Sequence, residues 1–237
     1  MTVLNGKGIS KGMALGKLIF YTPAEKHIEK RTVTNVQNEI VRLEKAKQSS
    51  LKELQKIYEK ALKIMSKKNA DIFKAHILLL DSPDFFEDIV NIITTDCVCA
   101  EYAVYTIAQK LMKKLKTEEM KSPINDIKDV SQTLIRNLAN EKFNDIIGSE
   151  KVIICANDLV PSQILEFNKA NVSGFCLINS DRNSHTAIIA KSMNIPAIVC
   201  IEQLTEKYMG NPALIDGEKG MLFIEPNSET IKRLFKY

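Results

Sequence analysis

The sequence predicts an α/β domain into which an all-α helical bundle is inserted. Residues 36–136 show helical periodicity without a strand signal, whereas strand and helix signals alternate after residue 142. A strand signal at residues 14–21 precedes the helical block and is expected to join the later sheet. The predicted domains are a discontinuous α/β domain (1–32 plus 144–226), a helical domain (33–143) and a C-terminal linker helix (227–237).

Composition excludes several classes of protein. The 237 residues are 45% hydrophobic and 26% charged, as in an ordinary globular protein. A net charge of +4 with mixed signs argues against nucleic-acid binding. Neither a membrane-spanning run nor a signal-peptide core is present, so no membrane insertion is expected. The five cysteines are scattered and odd in number, which indicates reduced thiols in a cytoplasmic protein.

The N-terminal residues and the helical block differ in their periodicity. Short apolar pieces broken by glycines precede the strand at residues 14–21. From Val36 to Met65 apolar residues recur at three- and four-residue steps, which predicts one amphipathic helix or a pair. A charged coiled-coil hairpin is the alternative for that stretch. Ser82 or Asp84 is the candidate N-cap of a later helix. The further helices are predicted at residues 69–80, 85–94, 100–115 and 127–140.

The second half reads as an α/β unit. Turn residues 216–220 separate two short apolar runs, which is the signal of a β-hairpin. Helices are predicted at 161–169, from about Ser184, and from Ser228. The predicted strands are residues 151–156, 172–178, 197–200, 214–215 and 221–224.

A histidine between two hydroxyl side chains stands at the start of one predicted helix. A helix that begins near Ser184 places His185 in its first turn, where free N–H groups and the helix dipole favour an anion. A neutral imidazole is a competent nucleophile near neutral pH. The stretch therefore predicts a histidine that accepts a phosphoryl group. On local chemistry alone, a capping or hydrogen-bonded histidine is the competing interpretation.

Three stretches resemble one known family, in the same order along the chain. Residues 181–192, followed by 194–199, resemble the phosphohistidine signature of enzyme I of the bacterial sugar phosphotransferase system. Residues 75–83 and 158–162 are similar to two further segments of that family. Pyruvate phosphate dikinase and phosphoenolpyruvate synthase carry a related signature. The long helical insertion favours enzyme I over a swivelling domain of their kind.

The resemblance implies a fold, an activity and a set of site residues. The fold would be an α/β phosphohistidine (swivelling) domain with an inserted helical domain. The activity would be transfer of a phosphoryl group from phosphoenolpyruvate to the carrier protein HPr, through a phosphohistidine at His185. Arg182 would balance the added negative charge. Ser184 and Thr186 would orient the imidazole ring or donate hydrogen bonds to phosphate oxygens.

The resemblance also implies partners. The helical insertion would dock HPr through His76, Leu79 and Phe85, with Leu78 beside them, although a leucine-rich helical stripe is more often bundle core. A C-terminal barrel would bind phosphoenolpyruvate and Mg²⁺. This chain has no residues for that barrel, so alone it is expected to hold no cofactor and to exchange phosphate only with phospho-HPr. It is expected to be a monomer, because the family dimerises through the barrel.

Three departures from the family pattern oppose full activity. Ser180-Asp181 replaces a glycine pair before the arginine, and Gln163-Ile164 replaces an acidic residue followed by threonine. In residues 122–130 one family arginine is lost and a second is Lys128. These departures support an alternative, in which a catalytically decayed paralogue acts as a carrier-docking or regulatory module.

Overall fold

The computed structural model describes residues 1–22, 28–115, 121–141, 150–167, 171–181 and 184–234. The chain divides into two compact units. One unit holds Met1–Ala24 and Asp145–Tyr237, and the other holds Glu25–Asn144. In chain order the helical unit is therefore an insertion in the α/β unit, as the sequence predicts.

In the part of the inserted unit that the structure describes there are five helices: α1 Val36–Ile64, α2 Lys67–Asp81, α3 Pro83–Asp96, α4 Ala100–Lys114 and α5 Lys121–Leu138. The 29 residues of α1 form one helix, which decides between the predicted single helix and a pair. Because α1 packs against all four other helices, the predicted bundle is confirmed and the isolated coiled-coil hairpin is excluded. Ser82 is the N-cap of α3, since its Oγ accepts a hydrogen bond from Phe85 N at 3.5 Å.

An ionic cluster joins α1 to the start of α4. Glu39 Oε2 accepts a hydrogen bond from Ala100 N at 2.9 Å and so caps α4. The Arg42 guanidinium donates to Glu39 at 2.7 Å and to Glu101 at 2.6 Å. Both carboxylates are buried, at 7% and 9% exposure, so Arg42 supplies the positive charge that their burial requires.

A single sheet of eight strands forms the α/β unit, in the order β1-β8-β7-β3-β4-β5-β6-β2. The four neighbouring strands β3 to β6 are parallel, and every other pair is antiparallel. The helical unit lies in the chain between β3 and β4, where parallel strands require a crossover. The strands are β1 Thr2–Asn5, β2 Lys7–Ser10, β3 Met13–Phe20, β4 Val152–Ala156, β5 Val172–Leu177, β6 Ala197–Val199, β7 Pro212–Asp216 and β8 Met221–Ile224.

Gly6 joins the two ends of this sheet. It is the only residue between β1 and β2, which occupy opposite ends of the strand order. Gly6 N donates to Gly220 O at 2.8 Å. A Cβ on Gly6 would lie 2.5 Å from Ile198 Cγ2 and 2.7 Å from Val199 O, so only glycine fits. Since one residue spans both ends, the sheet curves until its edges meet.

Three helices accompany the sheet: α6 Pro161–Glu166, α7 His185–Ser192 and α8 Ser228–Leu234. α6 follows β4 and α7 follows β5, which is the alternation of a parallel α/β unit. One hydrophobic cluster lines one part of the sheet, with members from seven strands, among them Leu4, Leu18, Ile153, Cys176, Ile198, Ile215 and Leu222. No helix within the described residues is long and apolar enough to cross a lipid bilayer.

Candidate functional site

The α7 helix begins at the carboxyl edge of the parallel strands. Loops that follow neighbouring parallel strands meet at this edge, which is where α/β sheets bind ligands. Main-chain bonds continue the β4–β5 pairing past the strand ends: Ile178 N donates to Ala156 O at 2.9 Å, and Asn179 N to Asn157 O at 2.8 Å. The loop that leads into α7 is therefore held in place from its first residues.

His185 is the first residue of α7, as the sequence predicts. Ser184 is the N-cap, and its Oγ accepts a hydrogen bond from Ala187 N at 3.1 Å. The His185 side chain is half-buried. Its position at the positive end of the helix suits a group that carries a phosphoryl anion.

The hydroxyl of Thr186 contacts the main chain of a neighbouring loop. Its side chain is buried, and its Oγ1 donates to the Leu159 carbonyl at 2.6 Å. Because a threonine hydroxyl carries one proton, Thr186 cannot also donate to phosphate in this conformation. Thr186 instead anchors the first turn of α7 to the loop that follows β4.

Ser180 is a functional candidate that the sequence does not single out as such. Its side chain is 3% exposed, and its Oγ lies 3.0 Å from Ser184 Oγ. Its carbonyl accepts a hydrogen bond from Cys200 Sγ at 3.3 Å. The one sequence feature that could have indicated Ser180 is that a serine replaces the glycine of the family pattern at this position. Arg182, the expected charge-balancing residue, lies outside the described residues.

The second departure lies on α6, which packs against α7. Gln163 Oε1 accepts a hydrogen bond from Val160 N at 3.1 Å and so caps its own helix. Ile164 is completely buried. An isoleucine side chain has no hydrogen-bonding group, so Ile164 cannot form a polar contact with a residue of α7.

The four docking candidates separate into an accessible and an inaccessible pair. Leu78 is 64% exposed and Leu79 is half-buried. Phe85 is 6% exposed and His76 is completely buried. The expectation that His76 and Phe85 belong to a surface is corrected by this burial, because both lie on the core side of their helices.

Two carboxylates on α5 explain the position of His76. His76 Nε2 lies 3.1 Å from Asp126 Oδ1, within hydrogen-bonding distance, and Nδ1 lies 3.6 Å from Asp129 Oδ2. The imidazole also packs edge-on against the Phe73 ring, with centroids 5.7 Å apart. His76 is therefore a structural histidine that links α2 to α5 within the bundle core.

The cysteines form neither a metal site nor a disulfide. All five are free thiols. Cys155 and Cys176 are buried neighbours on β4 and β5, and the hydrogen bond between them, together with burial, raises the pKa of Cys176 well above its ordinary value. Cys176 is therefore a protonated, unreactive thiol. Among the residues that the structure describes, no three histidine, cysteine or carboxylate side chains come together as a metal site.

Family models match both units of the chain. A model described as PEP-utilising enzyme, N-terminal, matches residues 5–123, and one described as PEP-utilising enzyme, mobile domain, matches residues 148–220. The phosphoenolpyruvate-protein phosphotransferase of Priestia megaterium is 35% identical over 234 residues, which cover 97% of this chain and 41% of that protein. The corresponding protein of Mycoplasma capricolum is 32% identical, with the same coverage. The chain thus spans about two-fifths of the length of these curated relatives.

Solved structures agree with this match over nearly the whole chain. A solution NMR structure of Enzyme I (nEIt) is 34% identical and superposes with a TM-score of 0.77, covering 98% of this chain and 97% of that one. The N-terminal domain of Enzyme 1 - Nitrogen shares the fold at 18% identity, with a TM-score of 0.70. The predicted fold class is thereby confirmed, and the chain belongs to the PEP-utilising enzymes, in which it matches the N-terminal part of the enzyme I proteins, the phosphoenolpyruvate-protein phosphotransferases.

Proposed function

We propose that His185 carries a phosphoryl group between phosphoenolpyruvate and an HPr-type carrier protein of the sugar phosphotransferase system. The 237 residues supply the phosphohistidine step. A C-terminal barrel in the complete enzyme binds phosphoenolpyruvate and Mg²⁺ and supplies the preceding step. The complete enzyme acts in the cytoplasm. The observation that carries the proposal is the position of His185 as the first residue of a capped helix at the carboxyl edge of the sheet.

The exchange with the carrier is a transfer between two imidazoles. An unprotonated ring nitrogen of His185 attacks the phosphorus of the phosphorylated carrier. The new N–P bond forms as the N–P bond of the carrier breaks, and the carrier imidazole recovers the bonding electron pair. Such a transfer requires in-line positioning and stabilisation of the charge on three oxygens, and little other chemistry. The N–H groups in the first turn of α7 suit those oxygens.

Docking of the carrier is proposed for the accessible face of α2. Leu78 is a large apolar side chain at 64% exposure, which is unusual enough to indicate a contact surface when it adjoins other apolar groups. Leu79 is the half-buried neighbour that would extend this surface. His76 and Phe85 would act only indirectly, by holding α2 and α3 in place.

The test is transfer of labelled phosphate from a phospho-HPr that a complete enzyme I has charged beforehand. Wild-type chain should acquire acid-labile, alkali-stable label, and His185→Ala should acquire none. His27→Ala is the matched control and should be labelled like wild type. Label that persists in His185→Ala, or wild-type chain that stays unlabelled with several HPr proteins, would contradict phosphoryl transfer at His185.

A second candidate is a carrier-docking module whose chemistry has decayed. Two observations favour it: Ile164 gives no polar support next to α7, and the Thr186 proton is already donated to Leu159. This candidate predicts that HPr binds wild-type chain and His185→Ala equally, and that neither becomes labelled. The same experiment, read by calorimetric binding as well as by label, separates the two candidates.

A further inference from the structure

We propose that Ser180 is a positioning residue that directs the Ser184 hydroxyl proton toward the phosphoryl group on His185. The inference rests on the proposed function and names a residue for that reaction. Ser180 stands where the family pattern has a glycine, so the hydroxyl is a feature of this chain. In this role Ser180 does not touch the phosphoryl group.

The Ser184 hydroxyl has a limited capacity for hydrogen bonds. A serine hydroxyl can accept two hydrogen bonds and donate one. Ser184 Oγ accepts one from Ala187 N at 3.1 Å. Ser180 Oγ lies 3.0 Å away and is the second partner. If Ser180 donates, the acceptor capacity of Ser184 is filled, and the one remaining function of its hydroxyl is to donate.

The Ser180 side chain is held in a buried position. Ser180 is 3% exposed, so water does not compete effectively for its hydroxyl. Its carbonyl is held by Cys200 Sγ at 3.3 Å. The main chain of Ser180 is therefore held by the residue that follows β6, and its side chain contacts the N-cap of α7.

Cys200 has an unusual backbone conformation. Cys200 follows β6 and has a φ of 56°, in the left-handed region that favours glycine. A side chain at such a position costs stability and needs a reason in its surroundings. The thiol contact with the Ser180 carbonyl supplies one. Two unusual residues, Ser180 and Cys200, thus meet at the loop that leads into His185.

The Ser184 hydroxyl would act on the phosphoryl group through a hydrogen bond. Ser184 immediately precedes His185, so its remaining proton can be donated as a hydrogen bond to a phosphoryl oxygen. The proton stays on Ser184, and no bond in it is broken. A charge-assisted bond of this kind stabilises the phosphoryl group more than a neutral one would. Without Ser180 the Ser184 hydroxyl can rotate, and the bond is formed only part of the time.

A double-mutant cycle on the 237-residue chain tests the proposal. In single-turnover labelling from phospho-HPr, Ser180→Ala should lower the maximal rate about fivefold, with the half-saturating carrier concentration unchanged. Ser184→Ala should lower the rate about tenfold. The double variant should be no slower than Ser184→Ala, because Ser180 acts only through Ser184. Ser180→Thr, which keeps the hydroxyl, should restore the wild-type rate.

Ser192→Ala is the matched control on the same helix. Ser192 Oγ donates to Ile188 O at 2.9 Å, at the far end of α7, and its loss should leave the rate unchanged. Provided that wild-type chain is labelled, two results would overturn the proposal. One is a labelling rate of Ser180→Ala equal to that of wild type. The other is a double variant whose loss of rate equals the product of the two single-variant losses.

A second measurement does not require phosphate transfer. Amide hydrogen exchange of Ala187, whose N–H is held by Ser184 Oγ, should be about fivefold faster in Ser180→Ala and unchanged in Ser192→Ala. If wild-type chain takes no label, the proposed function fails, and this measurement still decides whether Ser180 positions Ser184. Equal Ala187 exchange in wild type and Ser180→Ala would overturn that positioning.

Discussion

The first turn of α7 depends on individual hydrogen bonds rather than on a large buried surface. Ser184 caps the helix, and Thr186 ties it to the β4 loop through Leu159 O. Each of these bonds restrains the start of the helix. Small changes at these positions should therefore alter the placement of His185 before they alter the fold.

Thr186→Val tests the anchor directly. Valine keeps the shape of threonine but leaves the Leu159 carbonyl without its hydroxyl partner. The free energy of unfolding should fall by about 1–2 kcal/mol, and the rate of phosphate uptake should fall with it. Urea denaturation gives the first quantity and single-turnover labelling the second. Thr94→Val, at an exposed site where Oγ1 donates to Val90 O, is the control and should change neither measurably. An equal effect of both variants would contradict the anchor.

The sequence predicts where His185 lies but not the bonds around it. His185, its helix and its N-cap follow from local chemistry, because a cap acts within three residues of the chain. The bonds from Thr186 to Leu159 and from Cys200 to Ser180 join residues that are 27 and 20 positions apart. No local pattern encodes such pairs. His76 is different, because it falls with Ala70, Phe73 and Leu80 on the buried stripe of α2, and that spacing was available in the sequence.

At the scale of elements, the charged cluster between α1 and α4 makes part of the stability depend on pH. Burial alone would raise the pKa of Glu101, but a backbone hydrogen bond and the Arg42 guanidinium outweigh it, and the pKa lies below its ordinary value. A lowered pKa means that the folded state favours the carboxylate. The stabilisation is therefore complete above the ordinary pKa of about 4.5 and is lost as the pH falls through the lowered one.

Glu101→Gln should remove this acid dependence. At neutral pH the variant should lose about 1–2 kcal/mol, a figure reduced because Arg42 is partly exposed to water. Below about pH 4 the wild type should converge on the variant. Urea unfolding at several pH values, followed by circular dichroism, measures both curves. Glu59→Gln, at an exposed site, should run parallel to wild type throughout. A constant gap between wild type and Glu101→Gln at all pH values would contradict the assigned shift.

Elements with strong local signals were predictable, and edge strands were not. α1 and the β7–β8 hairpin follow from periodicity and turn residues. β1 and β2 have four residues each, and the sequence shows only apolar pieces between glycines. They are strands because β8 and β6 pair with them, about 190 to 220 residues further along the chain. A short segment of this kind takes its structure from a partner that local reasoning does not include.

At the scale of the whole molecule, the proposed docking of a carrier rests on the exposed face of α2. Leu78→Ser should weaken HPr binding about tenfold if Leu78 lies at the centre of the contact. Calorimetric titration measures the dissociation constant. Leu62→Ser removes a leucine that is 42% exposed on α1 and should leave binding unchanged. If Leu62→Ser weakens binding as much as Leu78→Ser does, the contact lies elsewhere or the loss is nonspecific.

The strand order has a consequence for the time course of folding. β1, β2 and β3 precede all other strands of this sheet in the chain, yet every strand that pairs with them lies after residue 151. The helices α1 to α5 contact one another within about 100 residues and can close early, since local contacts form fastest. β1, β2 and β3 therefore keep unpaired edges until their partner strands, of which β8 is the last, have been synthesised. Nascent chains should therefore need protection at these three strands for longer than at the helices.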